Sequence, residues 1–387
     1  MKIVQISGGE IKIPTSVGGG VETFIFNLSK ELYKNGHNVT ILDRKYSPSD
    51  LDTEKIEGIT IKRLKAGIFN VPGSTIDFVL GQVVYAFKIN KYLKTLQGVD
   101  AVNVHHSVLG NVIISLNRKI RAKMYYTSHS LRREKVIRGI TDMMALELEN
   151  HLIRNVKKTM IANEIVAEQL AQQAGVKPKR VQVVRVGVDI AQFNPDLDTI
   201  EVRQRYGLEE KRNILFVGRI CVEKGVEYLV KAADLLVNRL GNNNLQFLVV
   251  GPIEQFDTKN NIPSPYFALV NRLINEYHLY GVIRLLGVVP LVDLRILYTA
   301  CDMVVIPSII DLDPQVQIEA MASGKPVIGT RVGTMPRRIK DGISGFIIDP
   351  ANEEQLADKI KYLLDNPTAM IKMGINAREL VMEKYSA

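Results

Sequence analysis

The chain has 387 residues, 46% of them hydrophobic and 24% charged, which is more than one hydrophobic core usually holds and calls for two domains. The net charge of +9 lies entirely in the first 200 residues, densest at Arg118, Lys119, Arg121, Lys123, Arg132, Arg133, Lys135 and Arg138, a distribution suited to an anionic partner. Two distant cysteines, Cys221 and Cys301, argue against a disulfide framework, no apolar run reaches the roughly 18 residues that cross a bilayer, and the opening Met1 to Ser7 lacks the layout of an export signal, so the expected location is cytoplasmic.

Short Val- and Ile-rich runs alternate with longer amphipathic ones. Lys2 to Ser7 reads as a strand, Val21 to Asn35 as a helix and Asn38 to Asp43 as a strand. A helix within Thr75 to Leu96 follows, then strands at Ala101 to Val104, Met124 to Thr127, Lys158 to Ala162 and Val181 to Val184. This order builds a doubly wound parallel sheet over residues 1–190. Residues 191–207 hold Asn194, Pro195 and Asp198 without a clean period and read as a linker with a short helix. A second alternation fills 208–387, with strands at Ile214 to Val217, Phe247 to Val250, Ile283 to Leu285, Met303 to Ile306 and Pro326 to Ile328, and a helix at Val226 to Leu240. The expected fold class is α/β, two Rossmann-like domains, with ligands beyond the carboxyl ends of the strands.

Three places carry chemistry. The first strand leads to Gly18-Gly19-Gly20, directly before a helix, where backbone amides and the helix N-terminus suit a phosphate; the pattern is neither G-x-G-x-x-G nor a Walker loop, and a structural glycine turn fits as well. In the second half, Gly218-Arg219 and Glu223-Lys224-Gly225 bring a guanidinium and an ammonium around one strand-end loop, an arrangement that converges two cations on a diphosphate. Farther on, Asp313-Pro314 reads as an N-cap and first helical residue, which puts Glu319 near the second turn and Asp311 in the preceding loop. Carboxylates so placed can accept hydrogen bonds from sugar or ribose hydroxyls.

Together with Thr127-Ser128-His129, Gly187-Val188-Asp189 and Glu319-Ala320-Met321-Ala322, these motifs make the chain resemble glycosyltransferase family 4 over nearly its whole length. The resemblance implies the GT-B fold and retaining transfer from a nucleoside-diphosphate sugar, UDP- or GDP-linked, to a carbohydrate or lipid-linked acceptor. It implies that Arg219 and Lys224 hold the diphosphate, Glu319 the ribose, Asp311 the transferred sugar, and that His129 lies against that sugar. Gly19 and Gly20 then approach the phosphates, and Gly218, Gly251 and Val288 lie along the nucleotide. Two further readings stay open, a sugar-nucleotide epimerase and a non-catalytic nucleotide-sugar-binding protein.

Departures from the family pattern bear on the sugar end. Asp311 stands where a glutamate is usual and is one methylene shorter, and Asp313-Pro314 replaces a helix-start glycine. An Asp313 carboxylate capping that helix would compete with phosphate for its amides, and the sequence leaves open whether Asp311 or Asp313 meets the sugar. Val186 replaces a common asparagine, and the chain stops at Lys384-Tyr385-Ser386-Ala387, near where the family's last helix returns to the first domain. Asp-x-Asp pairs at Asp50/Asp52, Asp196/Asp198 and Asp311/Asp313 are read as ordinary loop acids, because Arg219 and Lys224 can neutralise a leaving diphosphate; no metal or other cofactor is expected. Without tryptophan and with scattered tyrosines the chain offers no stacking platform for nucleic acid. The segment Phe78 to Lys94, apolar then basic, fits either a helix packed on the sheet or a peripheral contact with an anionic membrane.

Overall fold

The structure is a computed structural model that describes residues 1–15, 20–65, 75–129, 140–161, 164–184, 187–208, 211–252, 256–257 and 262–386. The described residues up to Val184 gather into one compact unit and those from Gly187 onward into a second.

In the first unit the chain runs β1 (Lys2–Ile6), α1 (Gly20–Lys34), β2 (Asn38–Arg44), β3 (Thr53–Ile56), β4 (Ile59–Leu64), α2 (Thr75–Thr95), β5 (Ala101–Val104), α3 (Ser107–Leu116), β6 (Met124–Ser128), α4 (Ile140–Asn155), β7 (Lys158–Ile161), α5 (Glu164–Ala174) and β8 (Val181–Val183). Among the described residues the strands form one sheet ordered β3-β4-β2-β1-β5-β6-β7-β8, parallel except for the β3–β4 pair. The order reverses between β1 and β5, so the carboxyl ends of β1, β5 and β6 sit together at the switch point where such sheets bind ligands. Beneath α1, Ile25 packs with Ile13, Val39, Ile41, Ile59 and Ile61, all buried.

The second unit continues with α6 (Ile200–Tyr206), β9 (Arg212–Val217), α7 (Val226–Asp234), β10 (Leu245–Val250), β11 (Phe256–Asp257), β12 (Ile262–Pro263), α8 (Pro265–Glu276), β13 (Ile283–Gly287), α9 (Leu291–Ala300), β14 (Met303–Ile306), α10 (Gln315–Ala322), β15 (Val327–Thr330), α11 (Met335–Arg338), β16 (Gly345–Ile348), α12 (Glu353–Asp365) and α13 (Pro367–Lys384). Its main sheet is parallel, ordered β13-β10-β9-β14-β15-β16. The near-continuous apolar strands follow from burial on both faces. Ile214, Phe216, Phe247 and Val249 enter one core with α7, α8 and α12, while Leu215, Leu248 and Val250 enter the other with α6, α9, α10 and α13. Each fully buried side chain of this kind contributes about 1.5–3 kcal/mol.

The helix expected from Val226 to Leu240 is α-helical only to Asp234 and continues as a π turn over Leu235–Arg239. The segment read as a linker carries α6, and its Phe193 and Val202 lie in a core of the second unit. The Val188 amide, just before this segment, donates to the Tyr385 carbonyl at 2.8 Å, and Arg378 of α13 donates to the Phe193 carbonyl within it at 3.1 Å, so the chain here is stitched to α13 and the residues after it.

Candidate functional site

In the second unit the site grows from three strand ends. The Gly218 amide bonds the Val250 carbonyl at 2.9 Å, and the Gly251 amide bonds the Gly287 carbonyl at 2.8 Å, which stacks the exits of β9, β10 and β13. A Cβ on Gly251, where φ is 144°, would come within 2.0 Å of the Gly218 carbonyl oxygen, so this approach requires glycine. Val288 follows β13 and is exposed, as is Arg219 after β9. Arg219 acts on the neighbouring Cys221, whose thiol burial pushes up in pKa and Arg219 draws back down.

Beyond Arg219 the chain makes a 3-10 turn, Val222–Lys224, and ends it at Gly225 in the left-handed region with φ 66°. A Cβ there would meet the Pro307 carbonyl oxygen at 2.1 Å. The Ile309 and Ile310 amides both donate to the Glu223 carbonyl, at 2.8 and 3.2 Å. These contacts bind the turn after β9 to the loop after β14 and bring Lys224 Nζ to 2.5 Å from Asp311 Oδ2. The Ser308 hydroxyl donates to the same oxygen at 3.4 Å. The two loops are 87 residues apart in sequence, and their chemistry meets in one ion pair.

Glu319 occupies the second turn of α10, where its Oε2 accepts from the Tyr298 hydroxyl at 2.8 Å. Burial raises its pKa, and the Tyr298 bond and the charge of Arg295 oppose the rise. Tyr298, wholly buried and packed edge-on against Phe193, carries no motif that marks it in the sequence.

Asp313 is not the cap that the sequence suggests. Pro314 is the N-cap, α10 begins at Gln315, and no side chain caps it. The Asp313 carboxylate instead turns to Arg338 Nη2 at 2.5 Å and accepts from the Thr334 hydroxyl at 3.0 Å. A guanidinium that is 3% exposed draws the carboxylate inward more strongly than helix amides would. The expected competition with phosphate for the α10 amides therefore does not arise, and that helix end keeps its partial positive charge. Asp311, with its pair to Lys224, is the carboxylate beside the diphosphate candidate.

In the first unit, Gly20 opens α1, and a Cβ on it would meet nothing within 4 Å; Gly18 and Gly19 lie outside the described residues, as do Val186 and the basic stretch from Arg132 to Arg138. His129 follows β6 at the switch point. Its Nε2 lies 3.0 Å from Nδ1 of His105, which follows β5, and the edge of Phe24 from α1 packs on its ring. Burial lowers the His129 pKa to about 4 and that of His105 well below the ordinary imidazole range. Both rings are neutral at pH 7. Beneath them Gln5, Asn103 and Thr127 form a buried polar network. Sequence reasoning misses His105 and this network, although Asn103 and His105 alternate with valines along β5 and the residue after it, a sign of polar groups collected on one face.

Residues 198–380 match the family model described as glycosyl transferases group 1, and residues 18–192 match that of glycosyltransferase family 4. The D-inositol 3-phosphate glycosyltransferase of Corynebacterium glutamicum (strain R) is 27% identical over 380 residues, covering 94% of this chain and 88% of that protein. Among solved structures, sucrose-phosphate synthase from Thermosynechococcus elongatus has a TM-score of 0.83 at 23% identity, over 100% of this chain and 95% of that one. HepE from Anabaena, solved in complex with UDP and glucose, has a TM-score of 0.76 at 20% identity, over 100% and 96%. At such identities the likeness to the solved structures is one of fold.

Proposed function

We propose that this chain, a group 1 glycosyltransferase of the family 4 type with the GT-B fold, performs retaining transfer of a sugar from a nucleoside diphosphate to a hydroxyl of a carbohydrate acceptor, free or lipid-linked. One observation carries the donor reading: Lys224 and Asp311 meet at 2.5 Å, a cation for the diphosphate next to a carboxylate for hydroxyls of the attached sugar. When the diphosphate takes Lys224, Asp311 is released to accept from those hydroxyls. Arg219 and the uncapped start of α10 supply further positive potential for the phosphates. Glu319 holds the ribose hydroxyls, and Gly218, Gly251 and Val288 accompany the nucleotide. We take the donor to be UDP-linked, UDP being the nucleotide with which HepE was solved.

In the proposed reaction the bond from the anomeric carbon to the diphosphate oxygen breaks, and a bond from that carbon to the acceptor oxygen forms on the same face. The departing phosphate takes the acceptor's proton. Lys224 and Arg219 stabilise the charge that grows on the diphosphate, which needs no divalent ion. We assign His129 to the transferred sugar, the role that the family resemblance implies.

A second element of the proposal concerns location. On α2, Tyr85, Ala86 and Ile89 are buried, while Phe87, Lys88, Lys91 and Lys94 are exposed, so the helix packs on the sheet and still presents an apolar and basic outer face. Met143, Met144 and Leu148 of α4 are exposed as well. No helix among the described residues is long and apolar enough to cross a membrane. We assign this face to peripheral contact with an anionic bilayer.

Calorimetric titration with UDP, GDP and ADP, followed by transfer of radiolabelled sugar from the tightest-binding nucleotide, tests the central reading. UDP is expected to bind best, and the product to keep the donor's anomeric configuration. Interconversion of the donor sugar without transfer would instead return the epimerase reading.

A further inference from the structure

The buried network in the first unit limits how its protons can be arranged. Gln5 and Asn103 are register partners on β1 and β5, and Asn103 Nδ2 lies 2.9 Å from Gln5 Oε1, 3.0 Å from Thr127 Oγ1 and 3.1 Å from His105 Nε2. His105 Nε2 is also 2.9 Å from Gln5 Oε1. Asn103 Nδ2 has two hydrogens for three neighbours. If His105 Nε2 were unprotonated, its 2.9 Å contact with the Gln5 oxygen would set two acceptors against each other with no hydrogen between them. If His105 Nε2 carries a proton, it donates to Gln5 Oε1, whose two lone pairs then take His105 and Asn103. The second Asn103 hydrogen goes to Thr127 Oγ1, whose own hydrogen goes to Asn103 Oδ1, and the contact left without an acceptor is the 3.1 Å one, where Asn103 Nδ2 and His105 Nε2 are both donors.

The assignment propagates outward. With its hydrogen on Nε2, neutral His105 presents a lone pair at Nδ1, and the 3.0 Å contact with His129 must be filled by a proton on His129 Nε2. The nitrogen left as an acceptor is His129 Nδ1. We propose that His105 is a positioning residue that fixes the Nε2–H tautomer of His129, so that His129 offers the transferred sugar an acceptor for a hydroxyl hydrogen and not a donor or a cation. Phe24, edge-on to both rings, holds their planes, which are 24° apart. The low pKa that burial imposes on both rings keeps the arrangement neutral through the physiological range. The functional half of this inference rests on His129 meeting the sugar; the tautomer half does not.

Long-range proton–nitrogen correlation NMR on the full chain with labelled histidine reads the tautomers directly. The six histidines are assigned by single substitution. In the unsubstituted protein at pH 7, His105 and His129 are both expected to be protonated on Nε2. His105→Phe removes the acceptor for His129 and is expected to give a mixed or Nδ1–H tautomer there, with at least a tenfold rise in donor KM. Should that variant not fold, Gln5→Leu removes the acceptor for His105 Nε2–H, leaves both imidazoles in place, and is expected to shift both tautomers. A His129 protonated on Nδ1 in the unsubstituted protein, or unchanged in the folded variant, would overturn the proposal. His129→Ala separates the two halves: unaltered transfer kinetics there would remove the sugar contact and leave the tautomer assignment standing.

Discussion

In the proposed reaction most of the donor chemistry converges on Lys224. Its ammonium is 24% exposed and its partner Asp311 9%, so substitution removes the proposed phosphate contact and strands a carboxylate that is largely out of water. Lys224→Ala is expected to lower kcat by about a hundredfold, the effect of losing one donor worth roughly 3 kcal/mol in the transition state, with a smaller change in donor affinity. Lys224→Ala with Asp311→Asn separates the two consequences, because it relieves the stranded charge and leaves the phosphate contact missing. Its stability should recover while its turnover does not. Wild-type turnover in the single variant would remove Lys224 from the diphosphate. The sequence singles out the loop from Arg219 to Lys224 by the glycines at 218 and 225 around two cations, but it does not show the pairing of Lys224 with Asp311, which the fold makes between residues 87 positions apart. The Arg338 to Asp313 pair is not legible. A carboxylate before a proline looks the same whether it caps a helix or answers a guanidinium 25 positions later, and only the fold brings α11 beneath the loop. Arg338→Met should therefore cost about 3–5 kcal/mol, the usual result of leaving one member of a buried pair alone, and Asp313→Leu added to it should restore most of the loss. Urea denaturation midpoints measure both, and a double variant no more stable than the single one would show that the pair does not hold the loop.

At the scale of elements, strand and helix order follows from the period of the apolar residues, because parallel strands buried on both faces leave continuous Val and Ile runs. Helix ends are less legible: the π turn after Asp234 and the start of α10 at Gln315 depend on tertiary packing that local sequence does not record. The first turn of α1 shows a similar contest. Glu22 stands where the helix N-terminus favours a negative charge, yet it is only 6% exposed, and burial raises its pKa from 4.5 to about 6, with Glu10 and Asp43 adding to the rise. Burial prevails. Because the folded value exceeds the unfolded one, the native state holds a proton that the unfolded chain has lost between pH 4.5 and about 6. The stability tied to this proton is complete below pH 4.5 and declines as pH rises through about 6. Glu22→Gln, which stays neutral throughout, should match the parent in thermal midpoint at pH 4 and exceed it at pH 8. Equal differences at the two pH values would show that shape, and not charge, sets the effect.

For the whole molecule, the net charge of +9 marks the first half of the chain as basic, and the fold distributes that charge over particular faces. Lys88, Lys91 and Lys94 share the outer face of α2 with Phe87, and Arg118 and Lys119 are exposed on the 3-10 turn after α3. Helices α2 and α3 pack together, as do α3 and α4, so these charges and the exposed methionines of α4 belong to one side of the first unit. Sequence pattern does not divide buried from exposed residues in this stretch, because α2 is apolar on much of its circumference. A lysine near an anionic surface is worth about 1 kcal/mol, so Lys88→Gln, Lys91→Gln and Lys94→Gln together should weaken vesicle binding by about 3 kcal/mol, roughly a hundredfold. Phe87→Ser should weaken it further through lost apolar insertion, with less dependence on salt. Co-sedimentation with phosphatidylglycerol vesicles at low and high ionic strength, against phosphatidylcholine controls, measures these changes. Binding that survives high salt in the triple lysine variant would assign the contact to the apolar residues alone, and no sedimentation of the parent protein with anionic vesicles at low salt would end the membrane proposal while leaving the donor site untouched.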